Sequence, residues 1–158
     1  MTRSTPAPQA SPAGTAPITV VLVHGAWADS SGWSGVIARL TDAGVAVVSP
    51  ANPLRGLISD SDYLAAFLAS IEGPILLVGH AYGGAVSSVA ASSNPAVLGI
   101  VYVAAYALDE GETLLGIVNQ FPVETLGNAL RQVPIPGGTA ENPALDVYLD
   151  RSLLPSVF

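Results

Sequence analysis

Two short stretches carry the residue types and spacing that could do acyl chemistry. Gly79-His80-Ala81-Tyr82-Gly83, continued by Gly84, follows the apolar run Pro74-Ile75-Leu76-Leu77-Val78. A tight turn from strand to helix needs glycine at its flanks, because its central residue takes strained dihedrals and the helix passes close to the strand. The central side chain then stands above the carboxyl edge of the sheet, and the next residue's N–H helps hold a developing oxyanion. Here those residues are Ala81 and Tyr82, so the position that would present a nucleophile has no atom to attack with. The second stretch, Val20-Val21-Leu22-Val23-His24-Gly25-Ala26-Trp27, puts His-Gly at the exit of another apolar run, where a second oxyanion donor is expected.

Other residues with chemical potential read differently. His24 and His80 are the only imidazoles. Adjacent residues in such a turn point in different directions, so His80 is expected to pack or hydrogen-bond beneath the site rather than act as base. His24 reads as a residue that fixes its turn, and nothing in the spacing matches a carboxylate to the two histidines as a metal site. Asp29, Ser30 and Ser31 read as capping residues, and Asp109 and Glu110 as a solvated loop or helix cap. No cofactor is required. With no cysteine there is no thiolate nucleophile and no disulfide framework.

The elements that must position these stretches follow from periodicity. Ile18 to Val23 is short, β-branched and almost uniformly apolar, the pattern of a strand covered on both faces of a parallel sheet. Ser31 can cap a helix with Trp33, Val36, Ile37 and Leu40 at helical spacing, ended by Gly44. Val45 to Val48 follows as a strand. Ser59 or Asp60 opens a second helix with the stripe Tyr63, Leu64, Phe67, Leu68 and Ile71, closed by Gly73-Pro74. Ile75 to Val78, a small-residue helix over Gly83 to Ser93, and Val97 to Val103 complete the pattern. Strands alternating with helices predict right-handed crossovers and a doubly wound α/β sheet. Trp33, Phe67 and Leu68 are expected in the core.

Three regions result: a disordered tail over 1–17, rich in Pro, Ala, Ser and Thr; an α/β core over 18–108; and the start of a cap or lid over 109–158, including the Pro/Gly-rich piece Val133 to Gly138. The 158 residues, half of them hydrophobic, suffice for one domain with a real core. A net charge of −7 with no lysine leaves no basic patch, which excludes nucleic acid as a partner. The longest apolar stretch, Val97 to Leu108, is shorter than the roughly 20 residues a bilayer requires. A cytoplasmic protein without membrane association is the expectation.

The paired turns, together with Asp109-Glu110-Gly111-Glu112 after the fourth strand, closely resemble the α/β-hydrolase superfamily, especially small esterase-like members with an HGAW stretch and a GHSYGG turn. The resemblance covers Ile18 to about Glu112 well and the lid loosely. It implies that Ala81 stands in the nucleophile position, where the family carries serine, and that the N–H groups of Ala26 and Tyr82 are the oxyanion donors, with Trp27 the alternative to Ala26. Trp27, Tyr82, Tyr106 and Leu108 would then face a pocket for a small acyl substrate. Some members take their acid from the edge where Asp109 and Glu110 lie. The family otherwise draws its acid and histidine from later strands, so the resemblance implies a sheet truncated after about four strands. The implied function is the N-terminal portion of a serine hydrolase acting on carboxylic esters or related acyl compounds, inactive as written. The alternative is a non-catalytic small-ligand-binding pseudoenzyme. An exchange of serine for alanine made to trap a ligand is favoured over a natural loss, because the rest of the turn is intact.

An apolar fourth strand at a sheet edge is a pairing hazard. The expected partner is a second chain or fragment that completes the sheet, or another copy of this chain. Size-exclusion chromatography of the 158-residue chain should show association or aggregation, whereas a monomer that unfolds cooperatively would contradict this.

Overall fold

The computed structural model describes residues 16–121 and 127–157; the tail expected over 1–17 lies almost wholly outside them. Among the described residues, β1 (Thr19–Val23), β2 (Ala46–Val48), β3 (Ile75–His80) and β4 (Val97–Val103) form a parallel sheet in the order β2-β1-β3-β4. Helices α1 (Ser34–Asp42), α2 (Leu57–Leu68) and α3 (Tyr82–Ala91) make the crossovers. The doubly wound arrangement is the one the alternation of apolar runs predicts.

The two faces of the sheet are covered separately, which is why its central strands are apolar over Val20 to Val23 and Ile75 to Val78. Val21 and Val23 of β1 and Ile75 and Leu77 of β3 bury themselves against Leu64 and Leu68 of α2 and Val86 and Ala90 of α3. The alternate residues, Val20 and Leu22 with Leu76 and Val78, pack with Trp33 and with Ile37 and Leu40 of α1. Leu68 and Trp33 are thus core, and Phe67 packs against it half-buried. On β4, by contrast, Leu98, Val101, Tyr102 and Val103 are exposed.

Local chemistry corrects several element boundaries. Asp29, not Ser31, caps the first helical segment: its carboxylate accepts the Ser31 N–H at 2.7 Å and starts a 3-10 turn, Ser30–Trp33, ahead of α1. Helix α2 opens at Leu57, upstream of Ser59 and Asp60, because the Asp60 carboxylate reaches back to the N–H groups of Arg55 and Gly56. Tyr63 is exposed, since the buried stripe of α2 runs through Asp60, Leu64 and Leu68 at intervals of four.

The segment expected to start a cap or lid contains α4 (Leu114–Gln120) and an antiparallel hairpin of β5 (Leu130–Gly138) and β6 (Pro143–Leu149). The Pro/Gly-rich piece is therefore strand. In a two-stranded ribbon both strands are edges, so Pro134 and Pro136 delete no bond a third strand would need. A 3-10 turn, Arg151–Leu153, and a helical turn, Leu154–Val157, follow. No helix among the described residues is long and apolar enough to cross a membrane.

Leu77 is fully buried at the centre of the sheet. Leu77→Ala should lower the unfolding free energy by about 2–5 kcal/mol in denaturant titrations, through lost transfer energy and a residual cavity.

Candidate active site

The carboxyl ends of the strands carry a concentration of backbone strain. Among the described residues, four non-glycine residues have positive φ: Trp27 (58°), Leu54 (58°), Ala81 (48°) and Ala104 (43°). One lies beyond the carboxyl end of each of β1, β2, β3 and β4. Such conformations cost on the order of 1–3 kcal/mol each and persist only where neighbours over-determine them, which makes this edge the first place to look for a site.

Ala81 sits between β3 and α3 with φ 48° and ψ −119°. Its N–H donates to Val103 O at 3.3 Å, and its carbonyl accepts from Gly84 N and Tyr106 N at 3.1 Å each. Both β4 and its exit loop therefore hold the turn. The glycines around it permit an approach no side chain would allow. A Cβ on Gly83 would collide with the carbonyls of Val23 and His24 at the end of β1, and one on Gly79 would lie 2.6 Å from Gly84 Cα. A Cβ on Gly25 would lie 2.9 Å from the Ala81 Cβ. The structure thus presses the His24-Gly25-Ala26 turn against the β3–α3 turn, as the two sequence stretches require.

His24 is buried and both its ring nitrogens are used. Nε2 accepts the Asn52 N–H at 2.9 Å, which assigns the hydrogen to Nδ1, where it faces the Gly25 carbonyl at 2.9 Å. The Asn52 amide group in turn donates to the His24 carbonyl at 3.1 Å. His24 locks the β1 exit to the loop after β2. His80 meets the Trp33 ring at right angles, with centroids 6.3 Å apart.

Tyr82 opens α3, so its N–H belongs to the first turn and has no partner within the helix. Its side chain does not join Trp27 at the cleft described below. It packs on the core cluster, and the hydroxyl donates to Asp60 at 2.8 Å. Burial first, and the Asp60 carboxylate beside it, push the phenol above its ordinary pKa. It stays protonated and donating at neutral pH. Tyr106 and Leu108 are half-buried; Tyr106 contributes its backbone to Ala81, and neither lines the cleft. Asp109 and Glu112 close on each other, the Glu112 carboxylate accepting the Asp109 N–H at 2.8 Å.

A cleft of about 440 Å³ lies beside the β1 exit turn, lined among others by Ala26, Trp27, Arg55, Asp146, Val147 and Tyr148. The hairpin forms one wall. The Trp27 indole N–H donates to Val147 O at 3.0 Å, and Arg55 pairs with Asp146 at 2.8 Å. Trp27 lines this cleft together with Arg55 and Tyr148, two residues that the sequence pattern does not single out. Among the described residues no three His, Asp or Glu side chains gather as a metal site.

Residues 20–157 match the model of the Alpha/beta hydrolase family. A carbendazim-hydrolysing esterase of Nocardioides sp. strain SG-4G is 30% identical over 111 residues, 62% of this chain and 46% of that protein. A pyrethroid hydrolase from Sphingobium faniae JZ-2 superposes with a TM-score of 0.68 at 25% identity, covering 89% of this chain and 60% of that one. An extracellular α/β-hydrolase from a Paenibacillus species, which shares structural and functional homology with tobacco salicylic acid binding protein 2, gives 0.61 at 25% identity over 72% and 50% of the two chains. The chain spans about half the length of the relatives it matches.

The close approach at the β3–α3 turn predicts opposite signs for two identical exchanges. Gly83→Ala should destabilise by roughly 1–3 kcal/mol despite alanine's better helix propensity, because backbone must move. Gly35→Ala in α1, where no atom lies within 4 Å, should stabilise by up to about 1 kcal/mol. Urea midpoints of the two variants check this.

Proposed function

The chain belongs to the alpha/beta hydrolase family, and from that membership we propose that it forms the oxyanion-binding half of an esterase-like serine hydrolase with alanine in the nucleophile position. The observation that carries this reading is the strained backbone of Ala81 between β3 and α3, with Gly25 of the β1 exit turn against its Cβ. In the serine form, Oγ at position 81 would attack an ester carbonyl, forming an acyl-enzyme as the alcohol leaves, and water would then release the acid. The N–H groups of Ala26 and Tyr82 are the proposed oxyanion donors, pre-aimed by the two abutting turns.

Neither histidine of this chain is proposed as base. His24 spends both nitrogens on its turn, and His80 packs against Trp33. The base and acid are assigned to partners beyond these residues, and the exposed apolar residues of β4 support further strands pairing at that edge. Substrates of the proposed class are uncharged esters with a flat apolar group. Trp27 and Tyr148 offer such a group their exposed rings, while the cleft's cation, Arg55, is paired with Asp146. The esterase and the pyrethroid hydrolase among the relatives support hydrolysis as the reaction.

The presence of alanine itself favours a second reading, a binding protein without turnover. The two separate cleanly. In the full-length polypeptide, Ala81→Ser should raise hydrolysis of short 4-nitrophenyl esters by about a million-fold and create a site for a fluorophosphonate label. Unchanged hydrolysis, no label, and retained binding of the ester would leave the binding protein.

A further inference from the structure

Asp60 is a fully buried carboxylate to which the proposed acyl chemistry gives no part. Aspartate is almost never buried without partners. Here three donors converge on it: Arg55 N–H at 2.9 Å, Gly56 N–H at 3.3 Å and the Tyr82 hydroxyl at 2.8 Å. The first two close the head of its own helix. The third reaches a different helix, at the residue directly after Ala81, and a helix cap does not need it.

Resting on the function proposed above, we propose that Asp60 is a positioning residue that ties the Tyr82 end of the β3–α3 turn to the Arg55 loop walling the cleft. The physical case begins with Tyr82. Its N–H is one of the two proposed oxyanion donors, and a donor is effective only if its direction is set before charge develops. The N–H lies at the first residue of α3, where no helical bond orients it. Its peptide plane is set by Ala81 on one side and by the Tyr82 Cα on the other, and the bond from the phenol to a buried carboxylate anchors that Cα. Hydrogen bonds to charged groups in the interior are among the stronger ones, so the anchor is stiff. The carboxylate also holds the backbone of Arg55, whose guanidinium reaches Asp146 on the hairpin. One buried group therefore sets the donor and one wall of the cleft together.

Two variants divide the functions of Asp60. Tyr82→Phe cuts only the arm to α3 and leaves the bonds to Arg55 and Gly56, whereas Asp60→Asn weakens all three. In the chain as it stands, Tyr82→Phe should shift the amide proton and nitrogen resonances of residues 82–84 while those of Arg55 and Gly56 stay in place; Asp60→Asn should shift both groups. In the full-length Ala81→Ser protein, Tyr82→Phe should lower kcat about tenfold with KM within about twofold, short of the hundredfold or more that deletion of a donor costs. Adding Asp60→Asn to Tyr82→Phe should cost no more than Asp60→Asn alone. Amide resonances of residues 82–84 that stay at their parent positions in Tyr82→Phe would overturn the proposal, as would an unchanged kcat in an active serine protein. If Ala81→Ser brings no turnover, the proposed function fails and the resonance shifts alone decide the link.

Discussion

Everything at the carboxyl edge of this sheet depends on one backbone contact, the seating of the first turn of α3 on the end of β1. Gly83 allows it, because a single Cβ there would run into the carbonyls of Val23 and His24. With the helix so close, the chain has no room for a gradual passage from β3 to α3 and must reverse at one residue. Ala81 is that residue, and its φ of 48° follows from the packing rather than from any preference of alanine. The same contact brings Gly25 against Ala81 and sets the β1 exit turn beside the helix's unbonded N–H groups.

Buried polar groups then hold the loops that this contact brings together. His24 bridges the β1 exit to Asn52, Asp60 bridges the Arg55 loop to Tyr82, and Tyr106 N–H fastens the β4 exit to the Ala81 carbonyl. Each link joins loops that follow different strands. Hydrophobic burial fixes the sheet and its helices but is non-directional and cannot set a peptide plane. Hydrogen bonds in the dry interior can, and they are placed where the strained residues cluster.

The central strands were legible in the sequence because a strand covered on both faces must be apolar throughout, and Val20 to Val23 and Ile75 to Val78 are. The two site turns were legible because close backbone approach admits only glycine. Less was readable where the chain uses residues with several common roles. Asp60 reads as a helix opener, whereas the helix opens upstream at Leu57 and the carboxylate reaches back to close its head; the bond to Tyr82 joins positions 22 residues apart and has no periodicity to reveal it. Trp27, Leu54 and Ala104 take positive φ without glycine, so no local signal marks them. The hairpin was masked by Pro134, Pro136 and the Gly137-Gly138 pair, which usually mark loops yet are tolerated in a ribbon with two edges.

The alanine at position 81 separates geometry from chemistry. Were the strained turn maintained by hydrogen bonds from a serine hydroxyl, its loss would let the backbone relax toward ordinary dihedrals or favour glycine. The turn here keeps φ 48° and ψ −119° with only a methyl group, so its support comes from outside the residue: Val103 O, Gly84 N, Tyr106 N and the glycine-lined approach of α3. A serine at this position would meet the same supports and would add one oxygen to a backbone already held in place. On the proposed reading, the oxyanion donors and the cleft are then independent of the nucleophile. A protein of this kind can lose turnover in a single exchange while keeping the apparatus that recognises an ester, which explains how a binding protein and an enzyme can share every feature of this site except one atom.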